Sequence, residues 1–403
     1  MAPTPEAGTS ATPSAEALAT EAVLARLSAE DVNAGRKRKA KDGEAEEDSD
    51  VAQSLRDYGR AFLRLGDPFT DLDDIIQHGI FIETAEEIDY PTMGTAQRRK
   101  FDRKTESWEI LWRMIGQKFR EEMIALEKKR KLRRRACSKI NGGLNGSRGE
   151  DANTLKKNII LYLNADTSVA LDPPLHPSAK VTRGFNHPVT ARLLCPAKHP
   201  PNEETYAKIA NGNITITGRT FPRLFYPDDW VYTKNADGTD NLMDGLFEGH
   251  LIPRVGKCIL QGPSSALKPP GAHRGERGNA AKIGAHVITP RLMGYFAIQT
   301  VFAISGIETW RQVDGNFDYE EFYWTVVRLF EDGDNAHILE NFNHQIFGSA
   351  TGKAATPTPT QNSEEEEDDL AAYEALRAAK RARLAEAAAA TNASQAATPS
   401  SSD

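Results

Sequence analysis

Hydrophobic side chains recur at intervals of three and four residues through most of the middle of the chain. The longest stripe is made of Trp108, Leu111, Trp112, Ile115, Phe119, Met123 and Leu126. This spacing places all seven side chains on one face of an α-helix. It predicts a single helix from about residue 96 to residue 135, which Asn141-Gly142-Gly143 would end, because glycine is common just beyond helix ends.

Shorter stripes predict further helices. Leu72, Ile75, Ile76 and Ile80 follow Thr70 or Asp71, either of which can cap a helix. Other helices are predicted to begin near Asn153, Pro188, Glu203, Thr289-Pro290 and Asp318. The apolar segment 242–260 is helical in spacing, but Pro253 would kink or split it.

Only one segment has the alternating pattern of a strand. Asn213-Ile214-Thr215-Ile216-Thr217 alternates polar and apolar residues between two glycines. The chain is therefore predicted to be mainly α, a single multi-helix globular domain over residues 51–349 with at most a minor β-hairpin.

Both ends of the chain differ from the middle in composition. Residues 1–50 hold 6 basic and 11 acidic residues, residues 351–403 hold 5 and 9, and the overall net charge is −7. All five Trp and all sixteen Phe lie between these ends. We predict disordered acidic tails at 1–50 and 350–403, because such segments cannot bury enough apolar surface to offset chain entropy. The second tail contains an Ala-rich segment near 366–390 that favours a helix.

Several protein classes are excluded by these patterns. The longest apolar stretch, from Tyr295 to Ile307, is too short to span a bilayer, and no secretory signal is recognisable at the start. Three distant cysteines, Cys137, Cys195 and Cys258, form no C-x-x-C pair and suit a reducing compartment. The composition also excludes a collagen, a disulfide scaffold and a coiled-coil rod.

Basic runs indicate a nuclear protein. Arg36, Lys37, Arg38, Lys39 and Lys41 form one run in the first tail, and a weaker run lies at 380–383. Such runs are typical of nuclear localisation signals or nucleic-acid patches. We therefore expect a nuclear location, an import receptor as one partner and no association with membranes.

The densest run lies on the long predicted helix. Residues 98–135 hold 15 Lys and Arg against 6 Asp and Glu. The candidate nucleic-acid contacts are Lys128, Lys129, Arg130, Lys131, Arg133, Arg134 and Arg135. A positive helix end of this kind can bind phosphate without reading bases, which favours a non-enzymatic module that binds DNA or chromatin.

Two alternatives stay open. In the first, the basic runs serve only for import, and the protein is an interaction or regulatory factor whose partner binds through residues 370–390. In the second, Arg183, His187, Arg192 and His286 form a pocket, with a histidine as base and an arginine as anion clamp. No phosphate-binding loop, nucleophile motif or dinucleotide fingerprint accompanies these residues, so neither an enzyme nor a cofactor is favoured.

The same segment contains side chains that can bind zinc. His187, Cys195 and His199 are ligand types that zinc accepts, but their spacing matches no zinc finger and a fourth ligand would be distant. The favoured interpretation is structural: His187 caps a short helix, and Leu193, Leu194 and Cys195 pack inside. No metal is predicted.

Residues 140–348 resemble a known family. The resemblance depends on Arg183-Gly184-Phe185-Asn186-His187-Pro188 with its continuation to Pro196, on Gly262-Pro263-Ser264-Ser265-Ala266, on Gly278-Asn279-Ala280, and on Phe322-Tyr323 with Phe330-Glu331-Asp332. The family is a large one of unknown function in mushroom-forming fungi, often encoded beside or within mobile-element genes. The resemblance implies a fungal intracellular protein that is located in the nucleus and associated with transposons. It implies no catalytic residue.

Overall fold

Capping side chains begin most of the helices where the sequence predicts them. The computed structural model describes residues 55–86, 88, 92–272, 278–331, 333 and 335–352. Asp71, His187, Thr289 and Asp318 each accept a hydrogen bond from a backbone N–H in the first turn of the following helix. This satisfies backbone donors that have no partner within the helix.

The described residues contain twelve α-helices, which confirms the mainly α fold. Their bounds are α1 (55–65), α2 (Leu72–Thr84), α3 (Thr95–Ile115), α4 (Gln117–Ala125), α5 (Arg130–Asn158), α6 (Pro188–Leu194), α7 (Glu203–Ala210), α8 (Leu251–Gln261), α9 (Asn279–Lys282), α10 (Pro290–Ile304), α11 (Tyr319–Arg328) and α12 (Ala336–Phe347). Pro253 does not split α8, because it lies in the first turn, where its missing N–H costs nothing. None of these helices is long and apolar enough to cross a membrane.

Two short antiparallel hairpins are present in the described part of the chain. β1 (Thr233–Lys234) pairs with β2 (Asp240–Asn241), and β3 (Val313–Asp314) pairs with β4 (Phe317–Asp318). The predicted strand at 213–217 is wrong. Ile214 and Ile216 are half-buried while their neighbours Asn213 and Thr215 are exposed, so the alternation reflects burial of one side. Among the described residues, no strand pairs with this segment to form a ladder.

The single long helix predicted over 96–135 is also wrong, because the chain turns twice. Gly116, at φ 122°, separates α3 from α4 in a conformation that other residues rarely adopt. A second turn at residues 126–129 separates α4 from α5. Trp108 on α3 and Met123 on α4 are nonetheless both fully buried. The predicted apolar stripe is therefore buried, although two helices carry these residues where one continuous helix was predicted.

Gly142 and Gly143 do not end a helix, because α5 continues to Asn158. Gly143 lies against the backbone of α1, and a Cβ built on it would be 1.9 Å from the carbonyl oxygen of Arg56. On α1, a Cβ on Gly59 would be 1.9 Å from the carbonyl oxygen of Ile140. These two glycines let the backbones of α1 and α5 approach closely, which is the physical reason why the helix-end prediction failed.

Helix α10 lies at the centre of the core. All but the first of its residues are buried, and α5, α8 and α11 pack around it. Three polar contacts attach residues before 142 to this centre. Arg64 of α1 bonds to Asp151 of α5, Arg291 of α10 bonds to Glu106 of α3, and the Tyr323 hydroxyl donates to the carbonyl oxygen of Gly66.

Candidate functional site

The basic run at the start of α5 divides into exposed and buried cations. Lys128, Lys129, Arg130 and Lys131 are exposed and make no ion pair or side-chain hydrogen bond with any residue that the structure describes. Arg134 and Arg135 are also exposed. These six residues are called the basic cluster below.

Arg133 does not belong to the basic cluster. Its side chain is 5% exposed, and its Nε lies 3.0 Å from Oδ1 of Asp73 on α2. Arg134 is 58% exposed and lies 3.9 Å from the other oxygen of Asp73, which leaves its guanidinium mostly in solvent. The sequence placed Arg133 among the nucleic-acid contacts, whereas the structure uses it to join α5 to α2.

Three further cations of the positive stripe at 98–135 have a carboxylate beside them. Lys104 lies 3.5 Å from Asp74, and Arg113 lies 2.8 Å from Glu109. Arg120 forms a bidentate pair with Glu83 and lies over the Trp112 ring. The positive charge of this stripe is therefore interrupted by ion pairs, whereas Lys128 to Lys131 have no carboxylate partner among the described residues.

The position of the basic cluster strengthens its positive potential. It surrounds the N-terminus of α5, and the first turn of this helix holds no acidic residue. A helix N-terminus carries partial positive charge, so cations there are unfavourable for the helix and favourable for a nearby anion.

The four residues of the predicted pocket do not meet in one site. Arg183 is fully buried and donates to the carbonyl oxygens of Ala303 at 2.8 Å and Lys156 at 2.7 Å. His187 caps α6 with Nδ1, while Nε2 lies 2.7 Å from the carbonyl oxygen of Pro173. Arg192 pairs with Asp228 at 3.0 Å. These contacts hold loops together.

His286 lies at a different cavity from Arg183. Arg183 borders a mainly apolar cavity of about 500 Å³, whose lining includes Ile209, Ile216, Val301 and Phe317. His286 borders a second cavity, of about 790 Å³, against α3, α10 and α11. The cryptic-enzyme alternative required these side chains to converge, and the structure separates them.

Cys195 of the same segment also has a structural role. Cys195 is fully buried, and burial raises the pKa of its thiol to about 11. Its Sγ lies within 4 Å of three carbonyl oxygens, those of Pro196, His199 and Pro200. Within the described ranges, no group of three or more His, Cys, Asp or Glu side chains is arranged to hold a metal ion.

Comparison with known proteins gives a match for one continuous part of the chain. Residues 142–347, about half of the chain, match the model of a family of unknown function, DUF6698. The chain belongs to this family. The matched range agrees with the resemblance drawn from residues 140–348. No curated protein and no solved structure matches the chain.

The DUF6698 range begins inside a helix. Residue 142 lies in the middle of α5, so the match excludes α1 to α4 and the whole basic cluster. The Arg183 cavity lies entirely within the DUF6698 range, whereas the His286 cavity is completed by Arg99, Arg103 and Glu106 from α3. Two predicted sites, the import run at 36–41 and the Ala-rich segment near 366–390, lie outside the described residues.

Sequence reasoning missed the side chains that shape the His286 cavity. Arg291 and Trp324 lie on buried helices of the DUF6698 range, and Arg103 lies on α3. One signal was present in the sequence: Arg291 is the only charged residue of the otherwise apolar α10. A charge inside a buried helix requires a partner, and it therefore indicates a polar contact with another element.

Lys180 is another buried cation of the DUF6698 range, and its burial makes the free energy of unfolding depend on pH. Lys180 is 1% exposed, its Nζ has no hydrogen-bond partner among the described residues, and it lies 3.4 Å from the centroid of the Phe302 ring. Burial, reinforced by Arg183, lowers the pKa of Lys180 to about 7. The unfolded chain therefore keeps this proton between pH 7 and roughly 10.4, where the folded protein has lost it, so stability rises with pH across that window.

Replacing Lys180 by Met is expected to stabilise the protein at low pH. The gain at pH 6 should exceed the gain at pH 10 by about 4 kcal/mol, because each pH unit between the pKa of about 7 and pH 10 contributes about 1.4 kcal/mol. Urea unfolding at both pH values measures the difference. Lys157→Met, at an exposed position of α5, serves as the control and should show the same small effect at both. Equal effects of Lys180→Met at the two pH values would contradict the assignment.

Proposed function

We propose that the protein binds the phosphate backbone of nucleic acid through the basic cluster and does not read base sequence. The observation that supports this most directly is the run of four exposed cations, Lys128 to Lys131, without a carboxylate partner in the described part of the chain. Each Lys or Arg that neutralises a phosphate releases condensed counterions, and this release drives binding that is independent of sequence.

The pairing pattern argues for a binding role of these cations. Other cations of the same region, such as Lys104, Arg113 and Arg120, have carboxylates beside them. The protein as a whole has a net charge of −7, so acidic residues are abundant, yet none neutralises Lys128 to Lys131 in the described residues. The proposal concerns the part of the chain before the DUF6698 range, and it assigns no reaction to the DUF6698 domain.

The proposal includes a nuclear location and chromatin as the natural source of nucleic acid. This part rests on the basic runs at 36–41 and 128–135. A fungal origin and a link to mobile elements belong to the proposal too, and they rest on the order of motifs between residues 183 and 332.

The test compares two quadruple variants of the full chain. In the first, Lys128, Lys129, Arg130 and Lys131 are all changed to Gln. Binding of a fluorescent DNA duplex is measured by anisotropy at several salt concentrations. We expect affinity at about 50 mM salt to fall by roughly 100-fold, and the slope of log affinity against log salt to become shallower by about 3 to 4, because four phosphate contacts are lost.

The control variant removes the same amount of charge from other places. Lys104, Arg113, Lys198 and Lys208 each pair with a carboxylate, and changing all four to Gln leaves the basic cluster intact. We expect the slope of this variant to stay close to that of the natural protein. Equal losses in both variants, or no binding of DNA by the natural protein, would reject the proposal and leave import as the role of the basic cluster.

A further inference from the structure

The cavity beside Trp324 has the size and shape of a small-molecule site. It has a volume of about 790 Å³ and lies where α3, α10, α11 and the loop 284–290 meet. Ligand sites in proteins occupy roughly 300 to 1,000 Å³ and combine an apolar lining with a few placed polar groups. This cavity is called the Trp324 cavity below.

One wall of the Trp324 cavity carries two cations that form no ion pair with the described residues. The guanidinium carbon of Arg103 lies 4.1 Å from the centroid of the Trp324 ring, and Arg103 makes no ion pair or side-chain hydrogen bond with the described residues. Arg99, one turn earlier on α3, lines the same cavity and also has no such partner there. A guanidinium offers five N–H donors, so both side chains keep their hydrogen-bonding capacity for something else.

The electrostatics around Arg103 are unfavourable for an isolated cation. Burial, together with the nearby Arg328, lowers the pKa of Arg103, although the group stays protonated. Glu331, which lines the cavity, compensates from a distance together with Asp67 and Glu320, and none of the three forms an ion pair with Arg103. A partly buried charge that lacks a partner is stabilised when an anion enters beside it.

Another part of the lining is held in place by the hydrogen bonds of Arg291. Arg291 is 3% exposed, and its terminal nitrogens bond to Ser107, Gly66 and Glu106 at 2.7 to 3.2 Å. The Nε of Arg291 and the Nδ1 of His286 are buried without a hydrogen-bond partner among the described residues. Glu106 neutralises Arg291, so Arg103 and Arg99 remain as the cations available to a ligand.

The remaining lining is apolar. Leu65, Ile110, Val287, Val327 and Phe330 border the cavity. Besides Glu106 and Glu331, the exposed Asp102 is the third carboxylate of the lining, and Asp102 has an interaction of its own. We propose that the Trp324 cavity binds a small organic anion, with an apolar body against these side chains and one carboxylate or phosphate group against Arg103 and Arg99. This inference is independent of the nucleic-acid proposal, because it uses none of the residues of the basic cluster.

Three probes of the same size test this inference on the full chain: naphthalene-2-carboxylate, 2-naphthyl phosphate and the uncharged 2-naphthalenemethanol. Binding is measured by ligand-observed NMR titration. We expect at least one anion to bind with a Kd of about 1 mM or tighter and at least tenfold more tightly than the neutral probe, since hydrogen bonds to a charged group contribute about 1.5 to 3 kcal/mol. The tighter of the two anions identifies the preferred head group.

Two variants and one control locate the bound probe. Arg103→Gln should weaken the anions at least tenfold and leave the neutral probe unchanged. Arg113→Gln, an exposed arginine on the same helix that pairs with Glu109, should change neither. Val287→Trp, at a position 44% exposed at the cavity wall, should block all three probes without disturbing the core, and it replaces Arg103→Gln if that variant does not fold.

The inference is overturned by any of three results. Anions that bind no more tightly than the neutral probe would remove the role of the arginines. Equal effects of Arg103→Gln and Arg113→Gln would show a general effect of surface charge. Anion binding that survives Val287→Trp would place the probe elsewhere, for example in the apolar cavity beside Arg183.

Discussion

Replacing Asp151 by Asn is expected to lower the free energy of unfolding by about 4 kcal/mol. The Asp151 carboxylate accepts hydrogen bonds from Nε and Nη2 of Arg64 at 3.0 and 2.8 Å, and from the Tyr295 hydroxyl at 2.8 Å. Arg64 and Asp151 are 4% and 5% exposed. The amide keeps the shape of the side chain but removes its charge, so the Arg64 guanidinium is left buried without a counterion. Urea denaturation at neutral pH measures the loss.

The adjacent residue provides a matched control. Glu150 pairs with Arg60 at 3.1 Å, but both side chains are about half exposed. Glu150→Gln should change the free energy of unfolding by less than about 0.5 kcal/mol, because exposed ion pairs contribute little. If the two variants lose the same stability, the buried pair is not the contact that joins α1 to α5.

The contact between Arg64 and Asp151 indicates which residues fold together as one unit. Arg64 precedes the DUF6698 range, whereas Asp151 and Tyr295 lie within it. The same is true of Glu106 and Gly66, which bond to Arg291. Because these contacts are buried and join both parts, we infer that residues 55–141 fold together with the DUF6698 range.

Replacing Gly143 by Ala is expected to destabilise the protein by about 3 kcal/mol. The new Cβ would lie 1.9 Å from the carbonyl oxygen of Arg56 and 2.6 Å from its carbon. Neither atom belongs to a flexible side chain, so α1 and α5 must move apart and lose packing along their crossing. Thermal and urea unfolding of the full chain measure the effect.

Replacing the neighbouring glycine by Ala should have the opposite effect on the free energy of unfolding. Gly142 is exposed on the same helix, and a Cβ on it meets no atom within 4 Å. Gly142→Ala should stabilise the protein by about 0.5 to 1 kcal/mol, because alanine is the better helix former. Destabilisation by both substitutions would indicate that the glycines serve backbone conformation, whereas the structure assigns Gly143 to close helix contact.

Local features of the sequence predicted the short helices well. The helices Pro188–Leu194 and Glu203–Ala210 begin where expected, and His187 and Asp318 cap their helices as expected. These features depend on residues within one turn of one another, so a pattern along the chain is enough to reveal them. The long helix at 96–135 failed because Gly116 changes the backbone direction without interrupting the apolar stripe.

The candidate sites were less predictable than the helices. The sequence located the dense positive run at 128–135 but did not separate Arg133, whose partner Asp73 is 60 residues away. It grouped Arg183 with His286, which lie at different cavities. It did not identify Arg103 and Trp324 as neighbours, because they are far apart in the chain and meet only across a helix contact.

The sequence by itself determined the helical class of the protein, about half of the helix starts and many of the faces that become buried. Periodicity and capping act over a few residues, and the hydrophobic effect needs only the composition of each face. The tertiary structure decided which glycine permits a helix crossing, which cations are neutralised and which polar groups share a cavity. These outcomes depend on atoms brought together from distant positions, such as Arg291 and Gly66, 225 residues apart. No local pattern carries that information, because the same residue types fit either role until their neighbours in space are known.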